Sequence, residues 1–188
     1  LLGLTGDVNR DLYVEPWSGY WALKWGDLLR NNRKQTGVAG MWSLFNWTRR
    51  ALRENMPVAQ FVREIITAEG STLQNGPANF YRIARTPTDL AEATAQVFLG
   101  VRIQCARCHH HPYESYSQSD YYGLAAFFTR VGTKNNSKFD VLGGNAIVQL
   151  NSSGSITHPR LGKTMAPTPL LGKPIEVVWI CDLRRPLA

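Results

Sequence analysis

Long apolar runs are missing from this chain of 188 residues. No stretch of about 18 or more apolar residues occurs, so nothing in it is suited to crossing a membrane as a helix. Cysteine is scarce at three residues, too few for a disulfide-stapled scaffold. A second Cys-x-x-Cys and any His-x₃₋₅-His pair are also absent, which leaves a zinc finger without its usual ligand set. Acidic residues are in deficit, 14 against 21 Lys and Arg, giving a net charge of +7. The basic residues are nevertheless scattered, with short doublets such as Arg49-Arg50 and Arg184-Arg185 and no basic stripe or tail. Nucleic acid is therefore not an expected partner, and a solvated basic surface is the simpler reading. There is no initiator Met and no charged segment leading into an apolar one; with the abrupt VVWICDLRRPLA end, this is the look of a piece of a longer parent chain.

What the chain does contain is a helical pattern, 44% hydrophobic and 19% charged, enough for one domain with a core. Trp17 to Arg33 reads as a helix ending in basic residues, and a Gly-containing break covers Thr36 to Gly40. MWSLFNWTRRALRENM follows, and Pro57 opens a further helix that Gly70 should close. The aromatic residues of these helices are expected in the core. After the loop STLQNGPANF, Thr88 is an N-cap candidate for a helix running through Ile103 into CARCHH, with Asp89 and Glu92 in its first turn. Ser117 and Asp120 form a capping-box pattern ahead of YYGLAAFFTRV. From Gly132 the texture changes to Gly, Asn, Ser and Pro with the β-prone runs NAIVQL and IEVVWI. The expected fold is mainly α: a helical c-type haem region over residues 1–131, with a loop- and short-strand-rich segment, 132–188, packing on it as one domain.

That haem expectation rests on Cys105, Cys108 and His109. Cys-x-x-Cys-His is the attachment pattern of a c-type haem, in which two thiols form thioethers and the imidazole takes the iron. Shuffling the chain's three Cys and four His would produce about 0.0007 such matches. On an α-helix turning about 100° per residue, Cys108 would lie near −60° and His109 near +40° of Cys105, all on one side, while His110 would point away. His111 precedes Pro112, which should take it out of the helix. Bare zinc on the two cysteines and two histidines, and a thioredoxin-like dithiol, are competing readings. The first lacks a second ligand pair and the second lacks a strand leading into the motif. Tyr113, Tyr116, Tyr121, Tyr122, Phe127 and Phe128 are candidate aromatic walls, with Arg102 and Arg107 as partners for propionates.

Four stretches carry a resemblance: YWALKWGDLLR, ENMPVAQFVREIITAEGSTLQNGPANFYR, FLGVRIQCARCHHHPYESYSQSDYYGLAAFFTRVG and HPRLGKTMAPTPLLGKP. From about Tyr20 to Pro174 the chain resembles the planctomycete-type cytochrome c domain family, large exported proteins of unknown precise function. The resemblance implies covalent haem c at Cys105, Cys108 and His109, a location outside the cytoplasm (periplasmic or exported), and a further domain beyond this one. Tyr113 and Tyr116 stand where relatives often have Phe and Trp. The final WICDLRRPLA departs from the family, so Cys181 receives no role. For the distal iron position the candidates are Met165 and His158, then Met41 and Met56, or an open site. The expected function is a mono-haem electron-transfer module, its partner a redox protein or the attached domains of the parent chain. Alternatives are a peroxidase-like enzyme with an open distal site and a structural module stapled by haem.

Overall fold

In the computed structural model, residues 12–135 and 145–174 are described. The protein is mainly α, with six α-helices and a small three-stranded sheet among these residues. The chain forms two compact units. Of the described residues, the first comprises those up to Ile83 together with those between Thr133 and Val148, and the second Ala84–Gly132 together with those from Gln149 to Pro174.

In the first unit, α1 (Val14–Leu28) and α2 (Arg33–Arg53) are joined by a short turn. Helix α1 stops five residues earlier than its pattern predicts. Leu29 is its C-cap, Arg30 takes a positive φ of 56°, and no basic residue lies in its last turn. Asn32 caps α2, its side chain accepting from the Gln35 N–H at 3.0 Å. The break expected between Thr36 and Gly40 is a kink at Gly37 (φ 72°, ψ 169°) within α2. Pro57 then precedes α3 (Val58–Ile66), which ends well before Gly70. Gly70 has φ 89° and opens β1 (Gly70–Ser71) instead of closing a helix. The expected loop also holds a 3₁₀ turn, Gly76–Asn79, that leads into α4 (Phe80–Ile83).

Core packing follows from apolar spacing on these helices. Leu44, Ile65, Ile66, Phe80 and Tyr81 are fully buried, and the Phe61 ring lies between those of Trp25 (4.8 Å) and Trp47 (4.9 Å). The expectation that the aromatics are core holds for Trp47, but Tyr20, Trp21 and Trp42 are exposed.

The second unit holds α5 (Pro87–Phe98), a 3₁₀ turn at Gln104–Arg107 and α6 (Gln118–Ala126). Thr86, not Thr88, caps α5: its Oγ1 accepts from the Asp89 N–H at 3.1 Å, with Pro87 at the first helical position. The long helix expected to deliver the motif does not continue. Leu99 is the C-cap of α5 and Gly100 turns left-handed at φ 70°. The capping box at Ser117 and Asp120 is present as the sequence predicts. The change of texture after residue 131 coincides with β2 (Val131–Asn135), and NAIVQL forms β3 (Ala146–Leu150). Strand order is β1-β3-β2, with Gly70 opposite Val148 and Ser71 opposite Ile147 in an antiparallel pair. The predicted strand IEVVWI and Cys181 lie outside the described residues.

Candidate functional site

The cysteine-histidine motif belongs to the second unit, and it sits on a 3₁₀ turn instead of an α-helix. That revises the geometric argument. Cys105 lies in the turn, Cys108 is its C-cap (φ −105°, ψ −30°) and His109 follows, so the α-helical angles that put the three on one side do not apply. Both cysteines are free thiols and both are exposed. The turn is fixed from beneath by Ile103 and Ala106, which are fully buried. Two side chains one helical turn apart on α6 hold its end: Gln118 donates Nε2–H to the Arg107 carbonyl at 2.8 Å, and the Tyr122 hydroxyl donates to the same oxygen at 3.5 Å.

The histidines differ in what their ring nitrogens touch. His109 Nδ1 stands 2.5 Å from the His110 carbonyl oxygen. A carbonyl only accepts, so in a neutral ring this contact puts the proton on Nδ1 and leaves the lone pair on Nε2, the tautomer that ligating histidines adopt when a backbone carbonyl orients them. His111 is the reverse. Its Nδ1 accepts from the backbone N–H groups of Tyr113 (3.3 Å) and Glu114 (3.0 Å), so the neutral ring has its proton on Nε2. His111 lies outside any helix, but so do His109 and His110, since no α-helix runs through the motif; its own N–H donates to the Tyr116 carbonyl at 2.8 Å.

His158 repeats the His111 pattern at the second His-Pro pair. Its Nδ1 accepts from the N–H groups of Arg160 (3.2 Å) and Leu161 (3.3 Å), closing a hairpin whose stem is the Thr157–Thr164 bridge. The side chain is buried, with its ring centroid 5.6 Å from that of Tyr122. Tyr122 thus contacts both His158 and the backbone of the motif. Met165 lies elsewhere in the unit: it lines a cavity whose walls include Arg130 and Thr164 and none of Cys105, Cys108 or His109. Met41 and Met56 belong to the first unit. Among the described residues, no cluster of three or more His, Cys, Asp or Glu side chains is poised around a common metal position.

The expected aromatic walls separate into two groups. Tyr121, Phe127 and Phe128 are core, whereas Tyr113 is 92% exposed and Tyr116 packs edge-on to His111. Tyr121 donates its hydroxyl to Glu92 on α5 at 2.6 Å, and burial followed by that bond raises its pKa well above the ordinary tyrosine value. Arg107 lies 3.9 Å from the same carboxylate; Arg102 is exposed. Sequence reasoning missed Gln118, and it put Glu92 in the first turn of its helix, whereas the helix begins at Pro87 and Asp89 is the acid of that turn. Gln118 had a readable position, the first residue after a capping serine, but its partner is set by packing alone.

The chain belongs to the PSCyt2 family, described as a protein of unknown function (DUF1549), whose model matches residues 5–133. The matched span includes Cys105, Cys108 and His109 and stops before His158 and Met165. No curated protein and no solved structure matches the chain.

Proposed function

We propose that this chain is a mono-haem c-type cytochrome module, with haem c attached through Cys105 and Cys108 and His109 as the proximal ligand. One observation carries the reading: of the three histidines whose rings meet the backbone, His109 alone turns Nδ1 to a carbonyl, the contact that leaves Nε2 available in a neutral ring, and it directly follows two free, exposed thiols, Cys105 in a 3₁₀ turn and Cys108 at its C-cap. When bound, the haem would supply one-electron chemistry. The protein's part is to hold the turn. Ile103 and Ala106 anchor it, Gln118 and Tyr122 fix the Arg107 carbonyl, and the His110 carbonyl orients the imidazole. Exposure of the motif suits exchange with a redox partner, either a separate protein or an attached domain of the parent chain. Because thioether attachment is ordinarily completed outside the cytoplasm, the same reading makes the protein periplasmic or exported.

The test is production with a haem-attachment system. Denatured protein is expected to retain haem peroxidase staining and to exceed the polypeptide mass by one haem, and the Cys105→Ala/Cys108→Ala double variant to lose both. Stoichiometric zinc with no Soret band would overturn the proposal.

A second reading, small-molecule chemistry at an open distal position, is favoured by the placement of the two leading distal candidates. His158 has Nδ1 committed to two backbone N–H groups, and Met165 lines a cavity the motif does not share. Carbon monoxide added to the reduced protein separates the two: immediate binding supports the open site, and refusal supports a six-coordinate carrier.

A further inference from the structure

Where Met165 does point is to a cavity of about 280 Å³ within the second unit. Its apolar side is Ala126, Met165 and Pro167; its polar side is Arg130, Thr164 and the serines of residues 152–155. This volume is just below the roughly 300–1,000 Å³ of sites for drug-sized ligands, so its occupant is small.

Arg130 is the one charged residue of the lining, and it is held in place. Its Nε–H donates to the Asn151 carbonyl at 2.8 Å, while the Asn151 N–H donates back to the Arg130 carbonyl at 2.7 Å. No carboxylate pairs with Arg130 among the described residues, which leaves the terminal nitrogens of its fork uncommitted. The hydroxyls of Ser152, Ser153, Ser155 and Thr164 make no hydrogen bond to other described residues. The loop that presents those serines needs a glycine. A Cβ on Gly154 would stand 2.3 Å from the Thr129 carbonyl oxygen, so only glycine lets the loop close on the end of α6.

We propose that this cavity binds a small organic carboxylate. The guanidinium fork of Arg130 takes the carboxylate, the loop hydroxyls solvate its polar edge, and a short carbon chain lies against Met165, Pro167 and Ala126. A single cation with no second positive lining residue matches a monoanion better than a phosphate dianion. The inference is independent of the haem reading, since it uses none of the motif's residues.

Methionine labelling tests it on the full chain. With ¹³C-methyl methionine, butyrate is expected to shift the Met165 methyl saturably and leave Met41 and Met56, both in the first unit, unmoved. Butyramide and inorganic sulfate are expected to bind at least tenfold more weakly. Arg130→Gln should weaken butyrate at least tenfold, with the Met41 and Met56 signals at wild-type positions as the check on folding. Should that variant fail to fold, Ser153→Trp, a bulky replacement at an exposed lining residue, is expected to abolish the shift. A Met165 methyl indifferent to butyrate, equal response to butyramide or sulfate, or unchanged affinity in both variants would each overturn the proposal.

Discussion

The two units use their buried residues differently. In the first, the largest buried side chains come from three helices and a strand, Leu44 on α2, Ile65 and Ile66 on α3, Phe80 and Tyr81 on α4, and Val148 on β3. In the second, Tyr121, Leu124, Phe127 and Phe128 come from α6 and the turn that ends it, while the motif's own segment adds only Ile103 and Ala106. Side-chain hydrogen bonds to backbone serve both units, as Asn79 to the Thr72 carbonyl in the first, but in the second they include histidine rings: beside Gln118 to Arg107 stand His111 to the turn after it and His158 to its hairpin. The difference separates stability from shape. Apolar burial stabilises an element without dictating the orientation of a ring, whereas a hydrogen bond of fixed donor and acceptor selects one tautomer.

The largest break in this comparison is expected in the first unit. Phe80 is 1% exposed and packs edge-on against Tyr81 at 5.7 Å, so Phe80→Ala removes a full ring and leaves a cavity. A loss of about 3–5 kcal/mol follows from such truncations, readable as a lower urea midpoint with unchanged slope. A loss under about 1 kcal/mol would mean the site collapses around the smaller residue, and the contrast between the units would weaken.

A smaller effect is expected at Tyr121, which joins α6 to α5 through Glu92. Tyr121→Phe removes one hydrogen bond to a charged acceptor and should cost about 1.5–3 kcal/mol at neutral pH. It should also change the alkaline limb of stability. In the folded protein Tyr121 holds its proton well above the ordinary value, through burial and Glu92; the unfolded chain releases it near about pH 10. Above that pH the unfolded state binds fewer protons than the folded one, so stability falls as pH rises. Replacement by Phe should flatten that fall. Denaturant titrations between about pH 8 and 11 would check it, and identical slopes for both proteins would count against the bond.

How much of this was readable in the chain depends on the range of the interaction. The capping box at Ser117 and Asp120 was legible because both halves lie within four residues. The cap of α5 was misplaced by two residues, although Pro87 marks the first helical position and therefore points to Thr86. The predicted helix through the motif failed at Gly100: apolar Val101 and Ile103 continued the periodicity, but Ile103 is buried as the anchor of a separate turn. The placement of Cys105, Cys108 and His109 on one α-helical face falls with it, since of the three only Cys105 lies within the 3₁₀ turn, Cys108 is its C-cap and His109 comes after it. What no local pattern could supply was the ring chemistry of the histidines. His109, His110 and His111 are consecutive, and only the backbone path after Cys108 decides which imidazole meets a carbonyl and which meets two N–H groups.

That last contrast gives the smallest expected change in stability and the sharpest comparison. An asparagine side chain has an acceptor oxygen at nearly the reach of a histidine Nδ1 and commonly accepts from the backbone two residues on. His111→Asn should therefore preserve the bonds from Tyr113 and Glu114, change stability by less than about 0.5 kcal/mol, and leave any haem spectrum as in the wild type. His111→Phe lacks the acceptor and should release both N–H groups; they are exposed, so the cost stays near 1 kcal/mol. His109→Asn keeps the size of the side chain but removes the imidazole. If haem is held as proposed, thioether attachment persists and the axial spectrum alone changes. Parallel spectra of these variants decide the matter: a change for His111→Asn as large as that for His109→Asn would mean that ring tautomers do not distinguish the ligand, and the assignment of His109 would fall with them.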